Sequence, residues 1–101
     1  MAISDVQQNG SYFEVYDSNS RKISSLYVSD LQLLGIASDF FVVQNGSYIE
    51  TYDEDCRRIA SLYKSDLVFR NAVGGTFNMQ NGSYTESYDK NCQKTGSRYN
   101  P

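Results

Sequence analysis

Three stretches of this chain hold an acid between two phenols: Tyr12-x-Glu14-x-Tyr16, Tyr48-x-Glu50-x-Tyr52 and Tyr84-x-Glu86-x-Tyr88. Alternation along a strand puts all three side chains of each triplet on one face. Such a face would stack on a sugar ring or grip a peptide. It would equally form a layer between sheets, in which phenol hydroxyls satisfy a partly buried carboxylate. A base follows each triplet at Lys22, Arg58 and Lys94. Catalysis finds little support. The chain has no His, the commonest general base, and no Ser or Cys has a recognisable activating neighbour. A small hydrolase built on a carboxylate pair is the third reading, since the separation of such a pair is set by folding. No cofactor is expected, because the Cys residues lack the partners of a zinc site and no Gly-rich phosphate loop precedes a helix.

The triplets belong to a repeat. Gln-Asn-Gly-Ser-Tyr occurs at residues 8–12, 44–48 and 80–84, a period of 36 residues, and all nine tyrosines fall on that lattice. A fixed period in this range marks a repeat architecture in which each unit is one supersecondary element. The repeats run over 1–37, 38–73 and 74–101 of a single 101-residue domain. Asn-Gly is the strongest short hairpin signal, which places Asn45-Gly46 at the centre of a type I′ turn. Residues 40–44 then enter the hairpin and 47–53 leave it. A second turn at 53–56 is matched at 17–20 and 89–92, and it reads as an Asx turn rather than a calcium loop, lacking the Gly and terminal Glu of the latter. A third strand at 58–64 and a fourth apolar segment at 31–37 or 67–73 complete the unit. The expectation is an all-β protein of eleven short strands and no helix.

The turn sets the register, with Val43 opposite Tyr48 and Val42 opposite Ile49. Face one of the second hairpin is then Val43, Phe41, Tyr48, Glu50 and Tyr52, and face two is Val42, Phe40, Ile49 and Thr51. Both are largely apolar. In the first hairpin only face two (Val6, Phe13, Val15) is apolar, and in the third only face one (Met79, Phe77, Tyr84, Tyr88). Three β-meander repeats stacked like propeller blades, face two of each on face one of the next, would show this gradient. On that arrangement Ile49→Asp unfolds the protein and Thr85→Asp is nearly silent. A closed pseudo-threefold β-prism or β-trefoil is the alternative, and it would make the repeats equivalent.

The run Gly35-Ile36-Ala37-Ser38-Asp39-Phe40-Phe41-Val42-Val43, followed by Ile49-Glu50-Thr51-Tyr52-Asp53 and Arg58-Ile59, resembles a shortened blade of an NHL-type β-propeller. Blades of that family place a Gly-[Ile/Val]-Ala segment, an apolar strand and a strand ending in Tyr/Phe-Asp in the same order. The resemblance implies a scaffold that binds proteins or RNA. A formal net charge of −3 argues against the RNA half, so no nucleic acid is expected.

The sequence therefore points to a non-enzymatic module that binds another protein, with a lectin-like carbohydrate-binding domain as the second reading. The expected site is the uncovered face of the first repeat, where Gln7, Tyr12, Glu14 and Tyr16 would be exposed together. Polar end faces suit a monomer. No apolar run reaches the length of a membrane span, and the first residues lack the pattern of an export signal, so the expectations are no membrane and a cytoplasmic location. Cys56 and Cys92 stand at equivalent repeat positions and are read as free thiols, a disulfide being the alternative.

Overall fold

A computed structural model describes residues 3–28 and 30–99; the repeat ends at residues 1, 2, 100 and 101 and position 29 lie outside them. The described residues form eleven strands and no helix. They are β1 (Asp5–Asn9), β2 (Tyr12–Tyr16), β3 (Lys22–Tyr27), β4 (Gln32–Ile36), β5 (Phe40–Asn45), β6 (Tyr48–Asp53), β7 (Arg58–Tyr63), β8 (Val68–Val73), β9 (Thr76–Asn81), β10 (Tyr84–Asp89) and β11 (Lys94–Tyr99). Three antiparallel sheets result: β1-β2-β3, β4-β5-β6-β7 and β8-β9-β10-β11. The all-β expectation and the strand number are met, and no sheet closes into a barrel. The fourth apolar segment of each of the first two repeats joins the sheet of the following hairpin, so β4 pairs with β5 and β8 with β9.

The turn chemistry differs from the expected type I′. Asn45 pairs directly with Tyr48, which makes Gly46-Ser47 the two central residues, with Asn9/Tyr12 and Asn81/Tyr84 alike. Gly10, Gly46 and Gly82 have φ of 63°, 62° and 62°, while the serines that follow are not in the left-handed region. A positive φ at the first central residue alone is the pattern of a type II′ turn. Moving the turn by one residue shifts the pairing by two, so Val43 faces Glu50 and not Tyr48, but every side chain keeps its face.

Two apolar clusters hold the sheets together. One joins Ile3, Val6, Phe13 and Val15 of the first sheet and its leading residues to Phe41 and Val43 of the middle sheet. The other joins Phe40, Val42 and Ile49 of the middle sheet to Phe77, Met79 and Tyr88 of the last. The middle sheet is thus covered on both faces, and β5 has four consecutive buried residues, while every residue of β11 is exposed. Equivalent hydroxyl-to-turn bonds also cross both interfaces. Ser24 Oγ donates to the Glu54 carbonyl at 2.5 Å, and Thr51 Oγ1 to the equivalent Lys90 carbonyl at 2.6 Å. Cys56 packs on the first cluster and Cys92 on the second; both thiols are free.

The outer face of the last sheet is polar, as expected, and is knitted by its own bonds: Ser87 Oγ to Asn78 Oδ1 at 2.6 Å and Asn78 Nδ2 to Asn71 Oδ1 at 2.7 Å. Thr85 corrects one expectation. Although no sheet covers it, its relative exposure is 1%. It pairs with Gln80 on one side and Arg98 on the other, two long side chains that flank it in the ladder. A buried Asp at position 85 would not be silent.

Candidate interaction surface

The repeat builds one polar network three times. In the first sheet the Glu14 carboxylate accepts from the Tyr16 hydroxyl at 2.8 Å and from Asn9 Nδ2 at 3.5 Å, with Lys22 Nζ 3.6 Å away. In the middle sheet Glu50 accepts from Tyr52 at 3.1 Å, Asn45 at 3.4 Å and Arg58 at 3.2 Å. In the last, Glu86 accepts from Tyr88 at 2.9 Å and Asn81 at 3.3 Å, with Lys94 at 3.6 Å. The Asn of each Gln-Asn-Gly-Ser-Tyr stretch therefore orients an acid, and the Gln steadies the turn by donating to the Gly carbonyl at 3.4, 3.2 and 3.0 Å.

The triplet tyrosines divide into two kinds. The second of each triplet bonds the acid inside the network. Tyr52 stacks on Phe41 at 5.6 Å and Tyr88 on Phe77 at 5.5 Å. The first of each triplet stands beside the turn, about half exposed, against a tyrosine of the third strand. Tyr12 meets Tyr27, Tyr48 meets Tyr63 and Tyr84 meets Tyr99, edge to face at 5.8, 5.7 and 5.5 Å. Relative exposures of 48–63% make these six the most exposed tyrosines, one pair per sheet. The third-strand members were legible as lattice positions, but their approach to the triplet depends on cross-strand pairing, Tyr12 with Tyr27 and so on.

The four expected site residues lie together on the uncovered face of the first sheet. Gln7 pairs with Glu14 and Asp5 with Tyr16, and the Gln7 amide donates to Asp5 Oδ2 at 2.9 Å. Where the middle and last sheets place Phe41 and Phe77 against the network tyrosine, the first places Asp5, on a face that no other sheet of the described residues covers. Gln7 and Tyr12 are exposed as expected, but Tyr16 is half-buried and the Glu14 side chain is at 15%, because the network they share wraps both. The Glu50 side chain, under the first sheet, is at 5%.

The electrostatics follow the covering. The Tyr16 hydroxyl holds the Glu14 carboxyl below the usual carboxylate range, opposed by desolvation and helped by Asn9 and Lys22. Tyr88 does the same for Glu86. On Tyr16 the upward shift comes first from its bond to Glu14. On Tyr52 burial is the larger cause, and burial followed by the Glu86 bond pushes Tyr88 up to about 12. The first sheet thus presents an ionised carboxylate held by a phenol and a base, flanked by the Tyr12–Tyr27 pair. That combination accepts hydrogen bonds and offers aromatic faces. The described residues enclose no pocket. Compared with protein families, curated proteins and solved structures, the chain matches none.

Proposed function

We propose that this protein is a non-enzymatic interaction module whose three sheets form an open, propeller-like set of blades. Its first blade presents Gln7, Tyr12, Glu14 and Tyr16 to a protein partner. One observation carries the reading: the acid–phenol–base network is built in all three sheets, and among the described residues only the copy on the first sheet has no sheet above it. An exposed tyrosine cluster beside a fixed carboxylate suits a partner surface that offers basic or amide donors and apolar contact.

The test is affinity capture from the native host with wild-type protein and with the Tyr12→Ala, Tyr16→Ala double variant, each shown to be folded by circular dichroism. The wild type retains a partner and the variant loses it. Equal capture by both removes this surface from consideration. A carbohydrate-binding role is the second reading, favoured by the three equivalent exposed tyrosine pairs, which would suit a repeating sugar. In a glycan-binding assay that role predicts stepwise loss as Tyr27, Tyr63 and Tyr99 are changed to Ala one after another, whereas the protein-binding role predicts that Tyr63 and Tyr99 are indifferent.

A further inference from the structure

The middle and last sheets have four strands and the first has three. In the four-stranded sheets, β4 lies beside β5 and β8 beside β9, and β4 and β8 touch each other across the interface. Their fit is close: a Cβ added at Gly35 would lie 2.8 Å from Phe69 Cζ and 3.2 Å from Ala72 Cβ. Shifted back by one 36-residue period, Phe69 and Ala72 become Leu33 and Ile36. These two side chains pack on the edge of the cluster between the first and middle sheets and remain half-buried. Among the described residues no strand lies where they would find their glycine.

That position also has free backbone. Asn9 and Tyr12 flank a two-residue turn and pair directly, so they exchange backbone bonds, and alternation then directs the amides of Val6 and Gln8 away from β2. The Asp5 carboxylate answers one of them, accepting from the Val6 N–H at 2.9 Å. A charged side chain on an edge amide is a device against unselective pairing.

We propose that the free edge of β1 takes up an extended segment of a partner protein as a fourth, antiparallel strand. The chain itself writes a strand for that place twice: β4 has apolar side chains on both faces, β8 carries Phe69 and Ala72 on its covered face and exposed Arg70 and Asn71 besides, and β4 sets a small residue against the side chains of β8. The partner segment therefore carries Gly where it meets Leu33 and Ile36, and Asp5 withdraws from the Val6 amide as the strand pairs. Main-chain bonds supply the affinity and the glycine supplies selectivity. This surface is distinct from the Tyr12–Glu14–Tyr16 face and does not depend on it.

The probe is a fluorescent synthetic peptide with the sequence of residues 30–38, titrated into the whole chain and followed by anisotropy. Saturable binding of one peptide per chain is expected. Gln8→Pro removes the outward amide from an exposed edge residue, a place where proline is tolerated, and weakens binding by about tenfold or more, while the melt falls only by the little that the exposed 3.4 Å bond from Gln8 to the Gly10 carbonyl contributes. Peptide Gly35→Val also loses binding, and it leaves the protein untouched should Gln8→Pro fail to fold. Asp5→Ala binds more tightly, and Tyr12→Ala with Tyr16→Ala binds as wild type. Absence of peptide binding overturns the proposal, and so does binding that ignores both Gln8→Pro and peptide Gly35→Val. Concentration-dependent self-association that Gln8→Pro abolishes, without peptide binding, assigns the edge to a second copy instead and overturns it equally.

Discussion

Glu→Gln at positions 14, 50 and 86 makes the same chemical change in three copies of one network, with the covering sheet as the main variable. At Glu50 the carboxylate accepts from Tyr52, Asn45 and Arg58, and its side chain is at 5% exposure. A glutamine there keeps its oxygen toward Asn45 and Arg58 and turns its amide toward Tyr52, whose hydroxyl must reverse. The shape survives and the charge is lost. The Tyr52 bond falls from about 1.5–3 kcal/mol to the neutral range of about 0.5–1.5 kcal/mol, while Arg58, still charged and largely exposed, loses only a screened attraction of about 0.2–1 kcal/mol, a net loss on the order of 2 kcal/mol. For a domain of this size that corresponds to a fall in Tm of roughly 8–16 °C. At Glu86 the base is a lysine at 3.6 Å and the side chain is at 11%, so the loss is smaller. At Glu14, with no sheet above and water free to replace lost partners, it is the smallest of the three. Thermal melts by circular dichroism, checked by urea unfolding with an unchanged slope, would rank the variants 50, 86, 14. Equal losses, or the largest at Glu14, would refute the view that covering by a neighbouring sheet sets the worth of each network.

Tyr88, with its ionisation pushed up to about 12 from an ordinary 10, keeps its proton in the folded state at pH values where the unfolded chain has lost it. The resulting stability is complete below pH 10 and disappears as pH rises from about 10 to about 12. Tyr88→Phe should flatten that alkaline limb in urea titrations while lowering stability at neutral pH, since the bond to Glu86 goes with the hydroxyl. Gly46→Ala meets no atom within 4 Å but forces a side chain onto a φ of 62°, and should cost about 1–3 kcal/mol in chemical denaturation. Gly96→Ala, in open space and outside the left-handed region, should be neutral or stabilise by up to about 1 kcal/mol. Phe77→Ala removes the ring that contacts Phe40, Phe69 and Tyr88 and should cost about 3–5 kcal/mol by the same measurement, enough to unfold much of the protein at 37 °C if it is marginal.

The repeated Gln-Asn-Gly-Ser-Tyr stretch shows how far local chemistry reaches. Its glycine announced a tight hairpin, but whether Asn-Gly or Gly-Ser would be central depends on which turn twist suits the strands on either side, and the ladder settles that. Because the correction shifts the register by two, the division of side chains into faces was unaffected, and with it the reading of which hairpin buries both faces. The asparagine looked like a turn residue, and its second role, reaching an acid five positions on, needs the strand pairing to be known. Thr85 shows the opposite limit. A threonine on an uncovered face reads as exposed, and flanking by Gln80 and Arg98 is invisible until those strands are side by side.

The 36-residue period, the strand number, the polarity gradient and the acid–phenol–base lattice follow from the sequence alone, because hydrophobic alternation and turn residues act within a few positions of one another. Three things were decided only by tertiary structure: the fourth segment's choice of the following hairpin, the division of the tyrosines into network members and exposed pairs, and the three-stranded first sheet with its free edge. Each depends on which strands become neighbours across a sheet or between sheets, and long-range pairing is written in no single stretch of the chain.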